Sequence, residues 1–277
     1  TDNIFKEEVF DGNQLVVYNI SNVTVVGDNS TLLVNPRYAN VICFRECSNI
    51  KLIGLTLGHT PRKGSCMGSV LRFENCNNIQ LDSLELFGCG TYGIELENCT
   101  NIRTNGTKIF ECSYGALSII NSNLEFSNSM IYDCNKTVGC IIEATNSQLD
   151  FNNVSIFNNY IDNYLISLES SSLFCSGVCV YSNSFAGLCN QAIPFGLFEE
   201  NNVIQRGEEF NITISSSKKT TRDVYEEIKE FVCIYGKIEE SVFDDGQIYI
   251  NVITSRFENI SQIESFIEGY DNLATAC

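Results

Sequence analysis

One histidine and two carboxylates are the residues of this sequence best suited to acid–base chemistry. His59 stands in a Gly-His-Thr-Pro turn beside Arg62 and Lys63. An imidazole titrates near neutral pH and can act there as an acid or a base. Counted from repeat to repeat, His59 falls in one column with Glu111 and Asp133, which predicts a shared edge. The alternative interpretation is that His59 is a hydrogen-bonded turn residue in an inserted loop.

The separations within this candidate set can be estimated from the spacing of β-strands. Glu111 and Asp133, one repeat apart, would lie about 5 Å from each other, close to the roughly 5 Å of a retaining glycosidase pair. His59 would lie roughly 10 Å from Glu111, with room for a substrate between them. The repeats contain no other such pair, and we interpret the neighbouring acids Asp244 and Asp245 as part of a DDG turn.

Metal binding is the second chemistry to consider. Four acidic residues could bind Ca²⁺ weakly or could equally form a solvated face: Asp82, Glu85, Glu95 and Glu97. Zinc does not fit, because no Cys-x-x-Cys pair is followed by a second one. We therefore predict no metal site and no cofactor apart from this Ca²⁺ option.

The chain contains 14 cysteines, several of which recur in columns from repeat to repeat. Column neighbours such as Cys76 and Cys99 would have Cα atoms about 5 Å apart, which a disulfide tolerates. Side chains of parallel strands in register point the same way, however, and cysteine is commonly buried as a small hydrophobe. We predict reduced thiol ladders.

Composition and charge exclude several classes of function. The 277 residues are 44% hydrophobic and carry 17 Lys and Arg against 34 Asp and Glu, a net charge of −17. This charge opposes binding to nucleic acid, which needs clustered cations. The sequence has no apolar run of 18 residues, so no membrane span is expected. Its first ten residues do not resemble a signal peptide, so a secreted form would already have lost its leader.

The elements that must position these residues follow from an internal repeat. Its anchors are spaced by 29, 23, 22, 25 and 24 residues: Ile50, Ile79, Ile102, Leu124, Leu149 and Leu173. Short segments before each anchor alternate apolar and polar residues, which is typical of half-buried strands. A repeat of this length with two or three strands predicts one coil of a parallel β-solenoid. A leucine-rich repeat would need an L-x-x-L-x-L-x-x-N frame, which is absent.

Stacked coils should place equivalent residues above one another. We predict an external aromatic ladder of Phe87, Phe110, Tyr132, Phe157 and Tyr181. A second column holds amides at a tight bend: Asn75, Asn98, Asn121 and Asn146, ending in Ser170. The other two columns are Cys47, Cys76, Cys99, Ser122, Ser147 and Ser171, and Thr60, Cys89, Cys112, Cys134, Asn159 and Asn183.

The chain from Val16 to Asn183 thereby resembles a right-handed parallel β-helix, the architecture of the pectate lyase-like superfamily. It is most similar to the uncharacterised β-helix repeat proteins of bacteria. The segments that carry this resemblance are GHTPRKGSC (58–66), LFGCGTYGI (86–94) and ECSYG (111–115). The resemblance implies the fold, whereas one fold supports many activities.

The repeat pattern ends after Asn183. We predict a β-helix of roughly seven coils with an N-terminal cap over residues 1–190, and an α+β capping or accessory module over residues 191–277. In that module we expect two strands, 209–215 and 247–254, and two helices, 221–235 and 261–273. The second helix would begin with the capping box Ser261-x-x-Glu264.

Two functional hypotheses follow. The first is a non-catalytic solenoid, secreted or displayed at the cell surface, whose β-faces bind a glycan or a protein partner. The second is a carbohydrate-active enzyme, a lyase or glycoside hydrolase, acting on a neutral glycan at the edge with His59, Glu111 and Asp133. We favour the first, because glycan cleavage needs a carboxylate pair, or a Ca²⁺ site with a base, and the repeats supply only His59, Glu111 and Asp133 on one shared edge.

Overall fold

The computed structural model describes residues 3–6, 12–27, 30–35, 39–60, 67–136, 139–161, 163–191, 210–216, 218–235, 237–254, 257–270 and 273–276. Arg62, Lys63 and Cys66, which the sequence places beside His59, lie outside these described residues. None of the described helices is long and apolar enough to cross a membrane.

Twenty-five short strands form the N-terminal part of the chain. They are β1 (Asn3–Lys6), β2 (Asn13–Tyr18), β3 (Ser21–Val26), β4 (Thr31–Asn35), β5 (Asn40–Arg45), β6 (Ser48–Ile53), β7 (Thr56–His59), β8 (Leu71–Glu74), β9 (Asn77–Asp82), β10 (Glu85–Phe87), β11 (Tyr92–Glu97), β12 (Thr100–Asn105), β13 (Lys108–Phe110), β14 (Gly115–Ile120), β15 (Asn123–Ser127), β16 (Met130–Tyr132), β17 (Asn135–Lys136), β18 (Ile142–Thr145), β19 (Gln148–Asn152), β20 (Ser155–Phe157), β21 (Tyr160–Ile161), β22 (Tyr164–Glu169), β23 (Ser172–Ser176), β24 (Cys179–Tyr181) and β25 (Gly187–Cys189).

These strands form three long parallel sheets that run along the molecule. Sheet A has the order β1-β4-β7-β10-β13-β16-β20-β24, sheet B the order β2-β5-β8-β11-β14-β18-β22-β25, and sheet C the order β3-β6-β9-β12-β15-β19-β23. Strands β17 and β21 form a small fourth sheet. Because each coil contributes one strand to each long sheet, the fold is a parallel β-helix of about seven coils, which confirms the predicted fold class.

The interior of the β-helix contains stacked aliphatic side chains. In sheet A one inward-facing residue of each coil lies in register with that of the next coil. These five residues are fully buried: Leu86, Ile109, Ile131, Ile156 and Val180. The residues before and after each of them are more exposed and point outward, as the two-residue period of a strand requires. The alternation in the sequence therefore gives one continuous core.

The aromatic ladder predicted from the sequence is confirmed on the outer face of sheet A. Successive rings from Phe87 to Tyr181 have centroids 5.0 to 5.3 Å apart and planes within 10° of parallel. The rings are half-buried. Each interior ring covers a face of the next, so the ladder shows ring edges to solvent, and its ring faces are not free to stack on a ligand.

The predicted column of cysteine and serine residues forms a hydrogen-bonded ladder. The Cys99 thiol donates to the carbonyl of Glu97 at 3.3 Å, and its sulfur accepts the N–H of Cys76 at 3.4 Å. In the next coil the Ser122 hydroxyl donates to the carbonyl of Ile120 and accepts the N–H of Cys99 at 2.8 Å. A thiol and a hydroxyl thus make the same two hydrogen bonds at this position, which explains why the column can change from Cys to Ser. The eleven described cysteines of the β-helix are free thiols.

This interchange gives a prediction for Cys99. The free energy of unfolding of the Cys99→Ser variant should lie within about 0.5 kcal/mol of the wild-type value, because serine keeps both hydrogen bonds. The Cys99→Ala variant should lose about 1–3 kcal/mol, because the buried N–H of Cys76 then has no acceptor. Urea unfolding followed by circular dichroism measures both. Equal losses in the two variants would show that sulfur packing, and not hydrogen bonding, holds the ladder.

Asparagines at the bends take the left-handed backbone conformation. Asn98, Asn121 and Asn146 have φ values of 54°, 47° and 49°. Their side-chain amides donate from one coil to the next, Asn121 to Asn98 at 3.1 Å and Asn146 to Asn121 at 3.3 Å. Asparagine is favoured here because it tolerates positive φ and can bond to its copy in the next coil.

The C-terminal part of the chain has its own hydrophobic core. Its elements are β26 (Phe210–Ser216), α1 (Arg222–Tyr235), β27 (Lys237–Asp244), β28 (Gln247–Thr254), α2 (Phe257–Ile267) and β29 (Leu273–Ala276). The strands form an antiparallel sheet with the order β27-β28-β26-β29, and the buried side chains include Ile212, Ile228 and Ile250. This confirms the predicted small α+β module. The predicted DDG turn is also present, with φ of 44° at Asp245 and 78° at Gly246.

The predicted second helix was misplaced. Helix α2 begins at Phe257 and not at Ser261, so Ser261 and Glu264 lie inside the helix and do not form a capping box at its start. Leu273, predicted to end the helix, begins strand β29, which pairs with β26. Pairing with a neighbouring strand, which local sequence does not reveal, decides the conformation at this end.

Candidate functional site

The structure places His59 inside the molecule. His59 ends strand β7, its side chain is 0% exposed, and its Nε2 lies 2.9 Å from the carbonyl oxygen of Ala39. A fully buried ring does not meet a polymer at the surface. This environment agrees with the alternative interpretation of a hydrogen-bonded residue, although His59 lies at a strand end.

The two carboxylates of the predicted edge follow the aromatic ladder. Phe110 pairs with Tyr132 in sheet A, so the residues after them, Glu111 and Asp133, are neighbours in adjacent coils. Both have positive φ, 53° and 57°, at the bend that leaves the sheet. Glu111 is exposed and Asp133 is half-buried. The predicted column exists, but His59 is fully buried, whereas Glu111 is exposed.

The four acids considered for Ca²⁺ are distributed over three different sheets. Asp82 lies in sheet C and pairs with Lys51 at 2.8 Å, and Glu85 lies in sheet A and pairs with Lys108 at 2.9 Å. Glu95 and Glu97 lie in sheet B. Residues on three sheets of a solenoid cannot converge on one ion. Within the described ranges, no three His, Cys, Asp or Glu side chains are grouped as metal ligands.

A dense polar cluster instead covers the outer face of sheet B. Arg72 in β8 contacts three glutamates: its Nε lies 2.6 Å from Glu74, its Nη1 3.2 Å from Glu95 and its Nη2 3.1 Å from Glu97. Arg45 in β5 also pairs with Glu74, at 2.7 Å. The β-helix creates this cluster because outward positions of neighbouring coils lie one strand spacing apart.

Glu95 is the most perturbed carboxylate of this cluster. Its side chain is 19% exposed. Burial raises the pKa of Glu95 above its ordinary value, and hydrogen bonds from Ser69 and the charge of Arg72 oppose this rise. A carboxyl group of this kind takes up a proton more readily than a solvated one.

Tyr92 and Glu143 form the second part of the site. The Tyr92 hydroxyl donates to Glu143 at 2.7 Å, and the backbone N–H of Cys140 donates to the other Glu143 oxygen at 2.9 Å. Burial and the hydrogen bond to Glu143 raise the pKa of Tyr92, which keeps the phenol protonated. Gly115 permits this contact, because a Cβ there would lie 2.8 Å from the Tyr92 ring.

The register of sheet B aligns these groups. Glu95 pairs with Ser118, and Ser118 pairs with Glu143, so the two glutamates lie two coils apart with a serine between them. The backbone separation is about 9–10 Å. Tyr114 packs edge-on against Tyr92 with a centroid distance of 5.4 Å and is exposed. We call Arg72, Tyr92, Glu95, Tyr114, Ser118 and Glu143 the sheet B site.

The raised pKa of Glu95 gives a prediction on stability and pH. Ionised Glu95 is less favourable in the folded than in the unfolded chain, so it costs stability at pH 7. That cost disappears below the ordinary carboxyl pKa of 4.5, where the group is protonated in both states. The Glu95→Gln variant should therefore be more stable than the wild type at pH 7, and the difference should vanish as the pH falls below that value.

Thermal unfolding between pH 7 and pH 4 tests this. Glu125→Gln is the matched control, since Glu125 is an exposed residue of sheet C paired with Arg103 at 3.2 Å. A Glu95→Gln variant that is less stable than the wild type at pH 7 would show that the contact with Arg72 outweighs burial.

The sequence had indicated part of this site. Glu95 was named for its charge, but Tyr92, Ser118 and Glu143 were not recognised as functional candidates. The available signal was their register: the segments GIELENC, ALSIINS and IIEATNS place Glu95, Ser118 and Glu143 at equivalent positions. The hydrogen bond from Tyr92 to Glu143 joins residues 51 positions apart, and no local sequence pattern predicts it.

Comparison with known proteins gives no family. No protein-family model and no curated protein matches the chain. Among solved structures, the chain is similar to Jun a 1, the major allergen from cedar pollen, with 12% identity and a TM-score of 0.42, covering 74% of this chain and 65% of that one. It is also similar to the tailspike protein gp49 of Pseudomonas phage LKA1, with 11% identity and a TM-score of 0.42, covering 95% of this chain and 63% of that one. The chain thus spans less than two thirds of either structure.

Proposed function

We propose that the protein binds a neutral glycan at the sheet B site without cleaving it. The observation that carries this proposal is the alignment of Glu95, Ser118 and Glu143 across three successive coils. Sugar hydroxyls both donate and accept hydrogen bonds, and this row offers carboxylate and hydroxyl partners at regular intervals. The exposed ring of Tyr114 adds apolar surface beside them.

Charge favours a neutral ligand. Around the site, Glu74, Glu95, Glu97 and Glu143 outnumber Arg45 and Arg72, and the whole chain carries −17. An anionic polymer would be repelled at close range. Both arginines are already paired with carboxylates and offer little to an acidic sugar.

The fixed bonds of both glutamates support binding without turnover. Arg72 contacts Glu95, while Tyr92 and the Cys140 amide hold both oxygens of Glu143. The proposal includes a secreted or cell-surface location, where such glycans are found. Buried thiols suit that location, because burial raises the pKa of Cys112 and Cys134 and slows their oxidation.

Affinity electrophoresis tests the proposal. The wild type should be retarded in gels that contain a neutral polysaccharide and should run freely in gels with an acidic one. Tyr114→Ala and Glu143→Gln should reduce the retardation, whereas Glu125→Gln on sheet C should not. The absence of retardation by any neutral polysaccharide, or equal effects of all three variants, would contradict the proposal. A protein partner on this face is the other outcome that fits the fold.

A second candidate function is glycoside hydrolysis by Glu95 and Glu143. Their two-coil separation of about 9–10 Å between backbones is compatible with the roughly 6.5–9.5 Å between the carboxyl groups of inverting enzymes. The raised pKa of Glu95 suits a general acid, and Glu143 would act as the base. This pair replaces the edge of His59, Glu111 and Asp133 as the better-placed catalytic candidate.

A reducing-end assay on any retained polysaccharide separates the two functions. The binding proposal predicts no release of reducing ends by the wild type. Release that is lost in both Glu95→Gln and Glu143→Gln, but kept in Glu125→Gln, would establish the enzyme instead.

A further inference from the structure

A polar groove of about 580 Å³ follows the bend between sheets B and C over four successive coils. Apart from Cys99, the residues that line it are Ser, Thr, Asn and Gln, so no lining side chain is charged. In a chain of net charge −17, an uncharged groove favours a neutral ligand that forms hydrogen bonds. We call it the bend groove, formed by residues 99–100, 121–123, 146–148 and 170–172.

The floor of the bend groove is held by hydrogen bonds between coils. Ser122 and Ser147 are 5% and 7% exposed. The Ser147 hydroxyl donates to the carbonyl of Thr145 at 2.7 Å and accepts the N–H of Ser122 at 3.1 Å. Because these bonds belong to the fold itself, the groove is formed before a ligand binds, which lowers the entropic cost of binding.

The two rims of the bend groove carry polar groups that are free to bind a ligand. Asn146 donates to Asn121 at 3.3 Å, but the next residue of this column is Ser170, and no described residue donates to the Oδ1 of Asn146. On the opposite rim, exposed Asn123 uses its Oδ1 to accept the N–H of Asn101, while its Nδ2 has no partner in the described part of the chain. Sugar hydroxyls can pair with both kinds of group, since they donate and accept hydrogen bonds.

The bend groove borders the sheet B site. Ser118 and Asn121 are three residues apart in one coil, and Glu143 and Asn146 are three residues apart in the next. Three residues of a strand span at most about 10 Å. Ile120, which is 41% exposed, lies between Ser118 and Asn121. A ligand can therefore pass from the sheet B site to the groove over a short apolar surface.

Given the glycan binding proposed above, we infer that the ligand of the sheet B site is an extended neutral oligosaccharide that also occupies the bend groove. The residues that line the groove include no aromatic ring on which a sugar could stack. The groove therefore adds affinity to a chain that is already held at the sheet B site. A single sugar unit is too short to contact both.

Calorimetric titration of the full chain tests this, with oligosaccharides of increasing length cut from a neutral polysaccharide that retards the wild type. The wild-type affinity should rise with length until the oligosaccharide reaches the bend groove. A variant with both Asn123→Ala and Gln148→Ala should bind the long oligosaccharides about 10-fold more weakly, because it lacks two exposed amides of one rim. It should bind the short ones as the wild type does, which also shows that it is folded.

A variant with both Asn105→Ala and Asn152→Ala is the matched control, since these exposed amides lie at the other edge of sheet C. It should keep the wild-type affinity for the long oligosaccharides. Equal affinity of the wild type for short and long oligosaccharides would overturn the inference, as would a gain with length that persists without Asn123 and Gln148 or is lost in the control. In each of these cases, binding of the short oligosaccharides would leave the proposed function intact. Binding at no length would overturn both.

Discussion

Replacing Asn159 by alanine is expected to lower the free energy of unfolding by about 3 kcal/mol or more. Asn159 is fully buried in the column that continues Cys112 and Cys134. Its Oδ1 accepts the N–H of Cys134 at 3.0 Å, and its Nδ2 donates to the carbonyl of Phe157 at 3.0 Å and to Asn183 at 2.9 Å. Alanine would leave the buried N–H of Cys134 without this acceptor, would remove the amide hydrogen bonds to Phe157 and Asn183, and would add a cavity.

Two variants place this result in context. Asn123→Ala is the control. Exposed Asn123 accepts the exposed N–H of Asn101, which water can satisfy, so the loss of stability should be less than about 1 kcal/mol. Asn159→Cys should cost less than Asn159→Ala, since the thiol of Cys134 occupies the equivalent position. Urea unfolding measures all three. An Asn159→Ala loss no larger than that of Asn123→Ala would show that buried amides do not stabilise the column.

Replacing Phe110 by alanine is expected to cost about 2 kcal/mol. Phe110 lies in the middle of the aromatic ladder, 5.3 Å from Phe87 and 5.0 Å from Tyr132 between ring centroids. Its removal breaks two stacking contacts. The cost stays below that of a core phenylalanine because the ring is half-buried.

Phe110→Tyr is the matched control for this prediction. Tyrosine already occupies the ladder at Tyr132 and Tyr181, so its hydroxyl has room, and the change should stay within about 0.5 kcal/mol. Thermal unfolding of both variants checks the prediction. A loss in Phe110→Tyr as large as that in Phe110→Ala would mean that the ladder is fixed by shape at this position and not by stacking.

The sequence predicted the β-helix because a solenoid repeats the same local environment in every coil. The period of the sequence repeat therefore predicts the strands, the aromatic ladder and the thiol ladder together. The C-terminal module has no repeat, and there the start of α2 was misplaced by four residues, from Phe257 to Ser261. Strand β27 was not predicted, since its pairing with β28 and not its own pattern defines it.

The candidate site was predicted less well than the fold. Register correctly placed Glu111 beside Asp133, but register does not report burial, and His59 is inside the molecule. The pairing of Tyr92 with Glu143 depends on a side chain that reaches across the glycine at position 115 into a later coil. Such a contact depends on side-chain conformation, which a repeat pattern does not specify.

The most direct test of glycan binding at the sheet B site is calorimetric titration of the wild type and of Ser118→Arg with an oligosaccharide from a retained neutral polysaccharide. Ser118 lies between Glu95 and Glu143, so arginine there fills the centre of the site and pairs with its carboxylates. We expect binding heat for the wild type and for the sheet C control Glu125→Gln, and none for Ser118→Arg. Equal affinity of Ser118→Arg and the wild type would contradict glycan binding at the sheet B site.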